Sequence, residues 1–287
     1  MNIIGDVPAS ITYPLGVGSV VTRIVEAGTG PRVVLYMHGA GSRADRFRHN
    51  MLPLAAAGYR VIAVDFPGHG FASKGGNLQY TTPALADFVG EMLRTLGIER
   101  SILAGTSLGA HVAAELTCRN PGSVEALVLI GAIGIVEYTP KGGPPSPTPL
   151  YDASEEGIRR KFGFVVHDPR LITDDWVREE ARFNSSPGAR DALEAVGAYL
   201  NTGVNRDLVG ARLVDSIDAI PVLLVWGAQD LWVPSEVGHR VAELLPSAQL
   251  HLMEGTGHAP YFEDPDTFNT LLTSFLTASP QHATSSG

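Results

Sequence analysis

The stretch Ser101-Ile102-Leu103-Ala104-Gly105-Thr106-Ser107-Leu108-Gly109 decides how this chain is read. A short apolar run enters a Gly-x-Ser-x-Gly turn, and a helical pattern, Leu108 to Arg119, follows at once. A serine on so sharp a strand-to-helix turn has its hydroxyl pushed out into a cleft. The flanking glycines keep side chains off the neighbouring strand and helix. Ser107 is therefore a candidate nucleophile. With 32 glycines in 287 residues, a glycine-rich turn with a capping serine would explain the pentapeptide alone, so the surrounding sequence must choose.

Outward from this turn, apolar runs recur at Val33 to Met37, Arg60 to Val64, Ser101 to Ala104, Ala126 to Ile130, Val222 to Trp226 and Gln249 to Met253. Most are short, rich in Val, Ile and Leu, and bounded by Gly, Pro or Asp, as parallel strands buried on both faces require. Helical patterns lie between them: Ala44 to Ala57, Thr81 to Leu96, Leu108 to Arg119, Ser235 to Leu244 and Pro265 to Leu276. Alternation of this kind predicts an α/β fold, an open and mostly parallel sheet with helices on both sides. Ser10 to Pro14 and Ser19 to Glu26 read as an antiparallel edge hairpin around Gly16-Val17-Gly18, which brings the sheet to eight strands.

The alternation breaks after Ile130. A glycine- and proline-rich connector, Gly131 to Leu150, leads into three helical stretches, Ala153 to Val166, Asp174 to Asn184 and Arg190 to Leu200. Residues 138–212 are expected to form a helical cap inserted after the sixth strand. Residues 1–137 and 213–278 form the core, and 279–287 a small, polar, disordered tail.

A nucleophilic serine needs a base and an acid that orients the base. His258, in Gly255-Thr256-Gly257-His258-Ala259-Pro260, follows the strand Gln249 to Met253. That places it beyond the carboxyl end of a strand, on the edge that Ser107 occupies. Asp230, at the end of Val222 to Trp226, is the acid. As a cap for the helix Ser235 to Leu244 it would stand too early, with Pro234 intervening. For the oxyanion, the backbone N–H of Leu108 starts a helix, where amides are unpaired. A second N–H is expected from His38-Gly39-Ala40-Gly41, at Ala40. His38 is read as a side chain that hydrogen-bonds the turn, with no chemical role.

The order Ser107, Asp230, His258, with the earlier His-Gly loop, resembles the α/β-hydrolase family. Asp65-Phe66-Pro67-Gly68-His69-Gly70 and Gly257-His258-Ala259-Pro260-Tyr261-Phe262-Glu263 resemble its motifs too, and the likeness runs from about Val20 to Leu276. Within it, the cap segment Phe162 to Thr173 resembles that of the meta-cleavage-product hydrolases, which split a carbon–carbon bond in vinylogous diketones. Three features of that group differ here. Thr106 stands where asparagine precedes the nucleophile, Ala259 stands where tryptophan follows the histidine, and Glu180 falls where a cap arginine grips the substrate carboxylate. Arg178 and Arg182 flank that place, but two residues along a helix turn a side chain by about 200°, so both read first as a solvated helical face and second as substrate contacts after a shift of register.

From these features, substrate contacts are expected at Gly39, Gly41, Thr106, Arg178, Arg182, Trp232 and Ala259. Phe66, Phe71, Trp232, Tyr261 and Phe262 could equally line the walls or be ordinary core. Ester or lactone hydrolysis through an acyl-enzyme is the first reading and carbon–carbon hydrolysis the second. A small-molecule receptor with little turnover is a third, from a different class.

Composition limits the partners. A net charge of -9 argues against nucleic acid, whose phosphates an acidic surface repels. No apolar run is long enough to span a bilayer, and Met1 to Ala9 lacks the pattern of a signal peptide. The one cysteine, Cys118, has no partner for an internal disulfide, which fits a reducing compartment. The expectation is a cytoplasmic monomer or homodimer with a small-molecule substrate. No metal or organic cofactor is implied, since there is no ligand cluster with metal spacing and His38 to Ser42 lacks the Gly-Lys-Ser/Thr ending of a P-loop.

Overall fold

The computed structural model describes residues 10–75, 77–139, 146 and 148–279. The N-terminal nine residues, Gly76, residues 140–145 and 147 of the glycine- and proline-rich connector, and the tail from Pro280 lie outside these. Strands β1 (Ser10–Val17) and β2 (Val20–Ala27) pair as the antiparallel hairpin. The turn falls at Gly18, one step later than the sequence pattern placed it. The remaining strands are β3 (Arg32–Met37), β4 (Tyr59–Val64), β5 (Ser101–Thr106), β6 (Val124–Ile130), β7 (Val222–Gly227) and β8 (Gln249–Met253). The sheet runs β1-β2-β4-β3-β5-β6-β7-β8, with β2 antiparallel to both neighbours and every pair from β4 onward parallel.

The helices are α1 (Arg48–Ala56), α2 (Thr82–Thr95), α3 (Leu108–Arg119), α4 (Glu155–Val165), α5 (Asp174–Asn184), α6 (Ala189–Thr202), α7 (Gly210–Ser216), α8 (Ser235–Leu244), α9 (Pro260–Glu263) and α10 (Pro265–Ala278). Period-two alternation sorts the central strands into two cores. Leu35, Met37, Ile62, Val64 and Leu103 face α2, α3 and α8. Val34, Tyr36, Val61, Ala63, Ile102 and Ala104 face α1 and α10. A strand buried on both faces must be apolar throughout, which is why these runs stood out in the sequence.

Between β6 and β7 the chain leaves the sheet for α4, α5 and α6. Ser154 and Thr173 cap α4 and α5, accepting from the backbone N–H of Gly157 and Trp176. Ile158, Phe162, Val166, Trp176 and Val177 form a small core of their own. Phe162 stacks on Trp176 with centroids 3.8 Å apart, and Trp176 stacks in turn on Phe262 of α9. Two short helices, α7 and α9, were not anticipated, because four to seven residues are too few for a readable amphipathic period. Helix α7 straddles the expected 212/213 boundary. Ser279, expected in the tail, is buried and its backbone N–H bonds the Phe275 carbonyl at the end of α10. Cys118 is half-buried. Among the described residues no helix is long and apolar enough to cross a membrane.

Candidate active site

From β3 the chain steps to β4 on one side and, later, to β5 on the other. The loops that leave β3 and β5 therefore diverge and open a crevice at the carboxyl ends of the strands. Ser107 sits in that crevice with φ 53° and ψ −115°, the one non-glycine residue of positive φ among the described residues. Such a conformation is costly for an L-residue and persists only where the surroundings impose it. Here they do. The Ser107 N–H bonds the Ile130 carbonyl at 2.9 Å, and its own carbonyl accepts from Ala110 and His111 in the first turn of α3. A Cβ on Gly105 would overlap the Gly109 carbonyl, and one on Gly109 would overlap the Met37 carbonyl. Strand β5, helix α3 and strand β3 touch at these two glycines, which is what squeezes the serine outward.

His258 and Asp230 arrive from the far side of the crevice. Asp230 follows β7. Its Oδ1 accepts from the backbone N–H of Trp232 and of Val233, each at 2.8 Å, which fixes the carboxylate. The other oxygen, Oδ2, lies 2.7 Å from His258 Nδ1. A carboxylate only accepts, so Nδ1 carries the proton and Nε2 is left with its lone pair. The Trp232 indole stacks over the His258 ring at 5.8 Å. Gly131, at φ +50°, passes so close that a Cβ there would lie 3.1 Å from His258 Nδ1.

Ser107 and His258 line one cavity, of about 70 Å³. Its wall includes Gly39, Ala40, Thr106, Trp232, Ala259 and Tyr261 from the core. Ser42, Ile133, Gly134, Tyr138, Val165, Leu200, Val204, Asn205 and Val233 complete it among the described residues. Among the described residues no Lys, Arg, Asp or Glu is in this wall. The backbone N–H groups of Ala40 and Leu108 have no hydrogen-bond partner among the described residues.

Several expected contacts lie elsewhere. Arg178 is exposed and paired with Asp175 at 2.7 Å, and Arg182 is exposed on the outer face of α5. Gly41 turns away from the cavity, its carbonyl accepting from Lys161 Nζ at 3.2 Å. Phe66 is core, Phe71 is 62% exposed against the edge of Phe183, and Phe262 stacks under Trp176. Conversely, the wall residues from 131–139 and 200–205 carried no sequence signal. Each is an unremarkable apolar or polar residue that matters only because α6 and the loop after β6 meet there. Asn205 ties the two together, its Nδ2 donating to the Tyr138 carbonyl and its Oδ1 accepting from the Tyr138 N–H.

Glu180, on the inner face of α5, is fully buried. Its carboxylate accepts from Arg43, from Arg46 at 2.5 Å and from Lys161 at 2.6 Å. Burial alone would raise this carboxyl, but the charges of Lys161, Arg46 and Arg43 hold it well below the ordinary range. Arg43 and Arg46 belong to the segment after β3, and Lys161 and Glu180 to α4 and α5. The cluster thus pins the inserted helices to the loop beside Ser107.

A family model described as the alpha/beta hydrolase fold matches residues 32–265. The chain belongs to the alpha/beta hydrolase fold family. Among named relatives it is 32% identical over 266 residues to a 2-hydroxy-6-oxononadienedioate/2-hydroxy-6-oxononatrienedioate hydrolase of Cupriavidus pinatubonensis, covering 88% of this chain and 89% of that one. It is 30% identical over 275 residues to the dihydrolipoyllysine-residue acetyltransferase component of the acetoin cleaving system of Cupriavidus necator, covering 95% of this chain and 71% of that one. A solved structure of 2-hydroxy-6-oxo-6-phenylhexa-2,4-dienoate hydrolase from Rhodococcus superposes with a TM-score of 0.84 at 21% identity, covering 94% of this chain and 100% of that one. At that identity the superposition speaks for the fold, and this alpha/beta hydrolase is an enzyme of the hydrolase type.

Proposed function

We propose that this chain is a serine-nucleophile hydrolase that breaks a carbon–carbon bond beside a ketone carbonyl in a small organic substrate. The observation that carries the choice of bond is the chain-long similarity to hydrolases named for 2-hydroxy-6-oxononadienedioate. The chemistry itself rests on one arrangement, Ser107 and the Asp230-bound His258 on a shared cavity. His258 takes the Ser107 proton as the hydroxyl attacks the ketone, and Asp230 holds the imidazole in its Nδ1–H form. The N–H groups of Ala40 and Leu108 hold the negative oxygen.

Carbon is a poor leaving group, so the substrate's enol must first become the keto form. The bonding pair then departs on a carbon conjugated with that new carbonyl. The proton that His258 took from Ser107 goes to the departing carbon. Water, deprotonated by His258, finally releases the acid from the acyl-enzyme. Residues 138–212 act as a cap that excludes bulk water from these steps.

A second reading, hydrolysis of an uncharged ester or lactone, is favoured by the wall of the cavity, where the described residues include no Lys or Arg to meet a substrate carboxylate. The two readings separate in kcat/KM on a 6-aryl-2-hydroxy-6-oxohexadienoate and on a short aryl ester, with Ser107→Ala as blank. We expect the dienoate to be preferred at least about tenfold, a difference of about 1.4 kcal/mol in transition-state binding. Preference for the ester by that factor refutes carbon–carbon hydrolysis as the main activity. Product that stops at one equivalent per chain would indicate a receptor.

A further inference from the structure

We propose that His38 is a positioning residue for the oxyanion, acting through the peptide bond between Gly39 and Ala40. This rests on the reading above, in which the Ala40 N–H is an oxyanion donor.

His38 is fully buried and both ring nitrogens are engaged. Nε2 lies 3.0 Å from the backbone nitrogen of Phe66, which can only donate, so Nε2 is the acceptor. The proton is therefore on Nδ1, which lies 2.8 Å from the Gly39 carbonyl and donates to it. That carbonyl and the Ala40 N–H are the two ends of one planar amide. A hydrogen bond to the oxygen fixes the plane's rotation and so the direction in which the N–H points. It also draws electron density toward the oxygen, which makes the N–H a stronger donor, as in any chain of hydrogen bonds.

The surroundings keep the ring in this one form. Burial lowers its pKa to about 4, with Arg23, Arg43 and Arg46 adding to the effect, so it stays neutral near pH 7. Phe66 and His69 pack on it with centroids 4.7 and 5.0 Å away, which leaves the ring little freedom to turn. The Ala40 N–H, by contrast, has no partner among the described residues and Ala40 lines the cavity. An aligned, polarised and unused donor is what a developing oxyanion requires.

Two substitutions separate the ring's two hydrogen bonds. In His38→Asn the amide nitrogen can stand where Nδ1 stands and keep the bond to Gly39. In His38→Gln the amide oxygen can stand where Nε2 stands and keep the bond to Phe66, while the Gly39 bond is lost. The readouts are kcat and KM on whichever substrate is turned over, the Kd of an aryl boronic acid that forms a tetrahedral adduct on Ser107, and Tm. We expect His38→Gln to lower kcat and boronate affinity together by about three- to tenfold, with KM within about twofold. His38→Asn should recover part of that loss even where its Tm is no higher. Equal losses in both variants, or a His38→Gln with unchanged boronate affinity, overturn the proposal, because a purely structural histidine would lower Tm without selecting for the tetrahedral state. If Ser107→Ala binds the boronate as tightly as the wild type does, the underlying reading of the site fails instead.

Discussion

Replacing Glu180 by alanine tests the account of how the inserted helices are held. The carboxylate is shared by Arg43, Arg46 and Lys161, whose side chains are 2–6% exposed, so water cannot take its place. Arg43 keeps Asp45 and Glu179, each at 2.9 Å, but among the described residues Arg46 and Lys161 have no second carboxylate. Removing one member of a buried ion pair costs about 3–5 kcal/mol, and two stranded cations put this case in the upper part of that range. For a chain of this length that is a fall in Tm of about 5–9 °C.

The assay is thermal and urea unfolding at pH 7. Glu180→Met, combined with Lys161→Met, should recover part of the loss, since one stranded charge goes with its partner. The pH dependence has a definite sign. Glu180 is held below its ordinary 4.5, so its contribution is complete above that pH and is lost as pH falls toward the folded value. The alanine variant should lack this component of acid sensitivity. A loss smaller than about 1 kcal/mol, the level of an exposed pair, would refute the reasoning.

Three further outcomes follow from the site. Asp230→Asn should lower kcat by about 10⁴, the cost of the wrong imidazole tautomer in the serine proteases, with Tm little changed; a tenfold loss or less in steady-state turnover would remove Asp230 from its role. Gly131→Ala should reduce kcat at least about tenfold, because its Cβ would lie 3.1 Å from His258 Nδ1 and 3.4 Å from Asp230 Oδ2 and push the pair apart. Wild-type rates in that variant would mean the pair has slack. Ser107→Gly should abolish turnover yet raise Tm, since relief of a strained φ gains about 1–3 kcal/mol and the freer unfolded chain takes back up to about 1. A fall in Tm would show that the elbow is not strained.

Much of the site was legible because its parts are local. Strand-then-serine-then-helix, a carboxylate after one strand and a histidine after the next are patterns of a few residues, and a parallel sheet delivers the ends of all its strands to one edge. The substrate wall was not legible for the opposite reason. Arg178 and Arg182 were open to two readings, substrate contacts by their charge beside the register position and a solvated helical face, and α5 is rotated so that Glu180 faces in and both arginines face water. Phe71 looked like a wall residue and lies at the surface. Asn205 and Tyr138, which do line the cavity, are 67 positions apart and acquire a meeting point only through the packing of α6.

Local residue patterns establish the α/β architecture and the hairpin edge and single out Ser107, Asp230 and His258 as candidates, because buried strands and tight turns constrain residue types over short spans. Tertiary structure alone decided which face of α5 is buried, that three cations converge on Glu180 behind the loop, and that no Lys, Arg, Asp or Glu among the described residues lines the cavity. Such properties depend on where side chains distant in sequence meet. A buried charge is tolerated only with partners, so the identity of those partners, settled in three dimensions, converts a run of charged residues from solvated surface into part of the core.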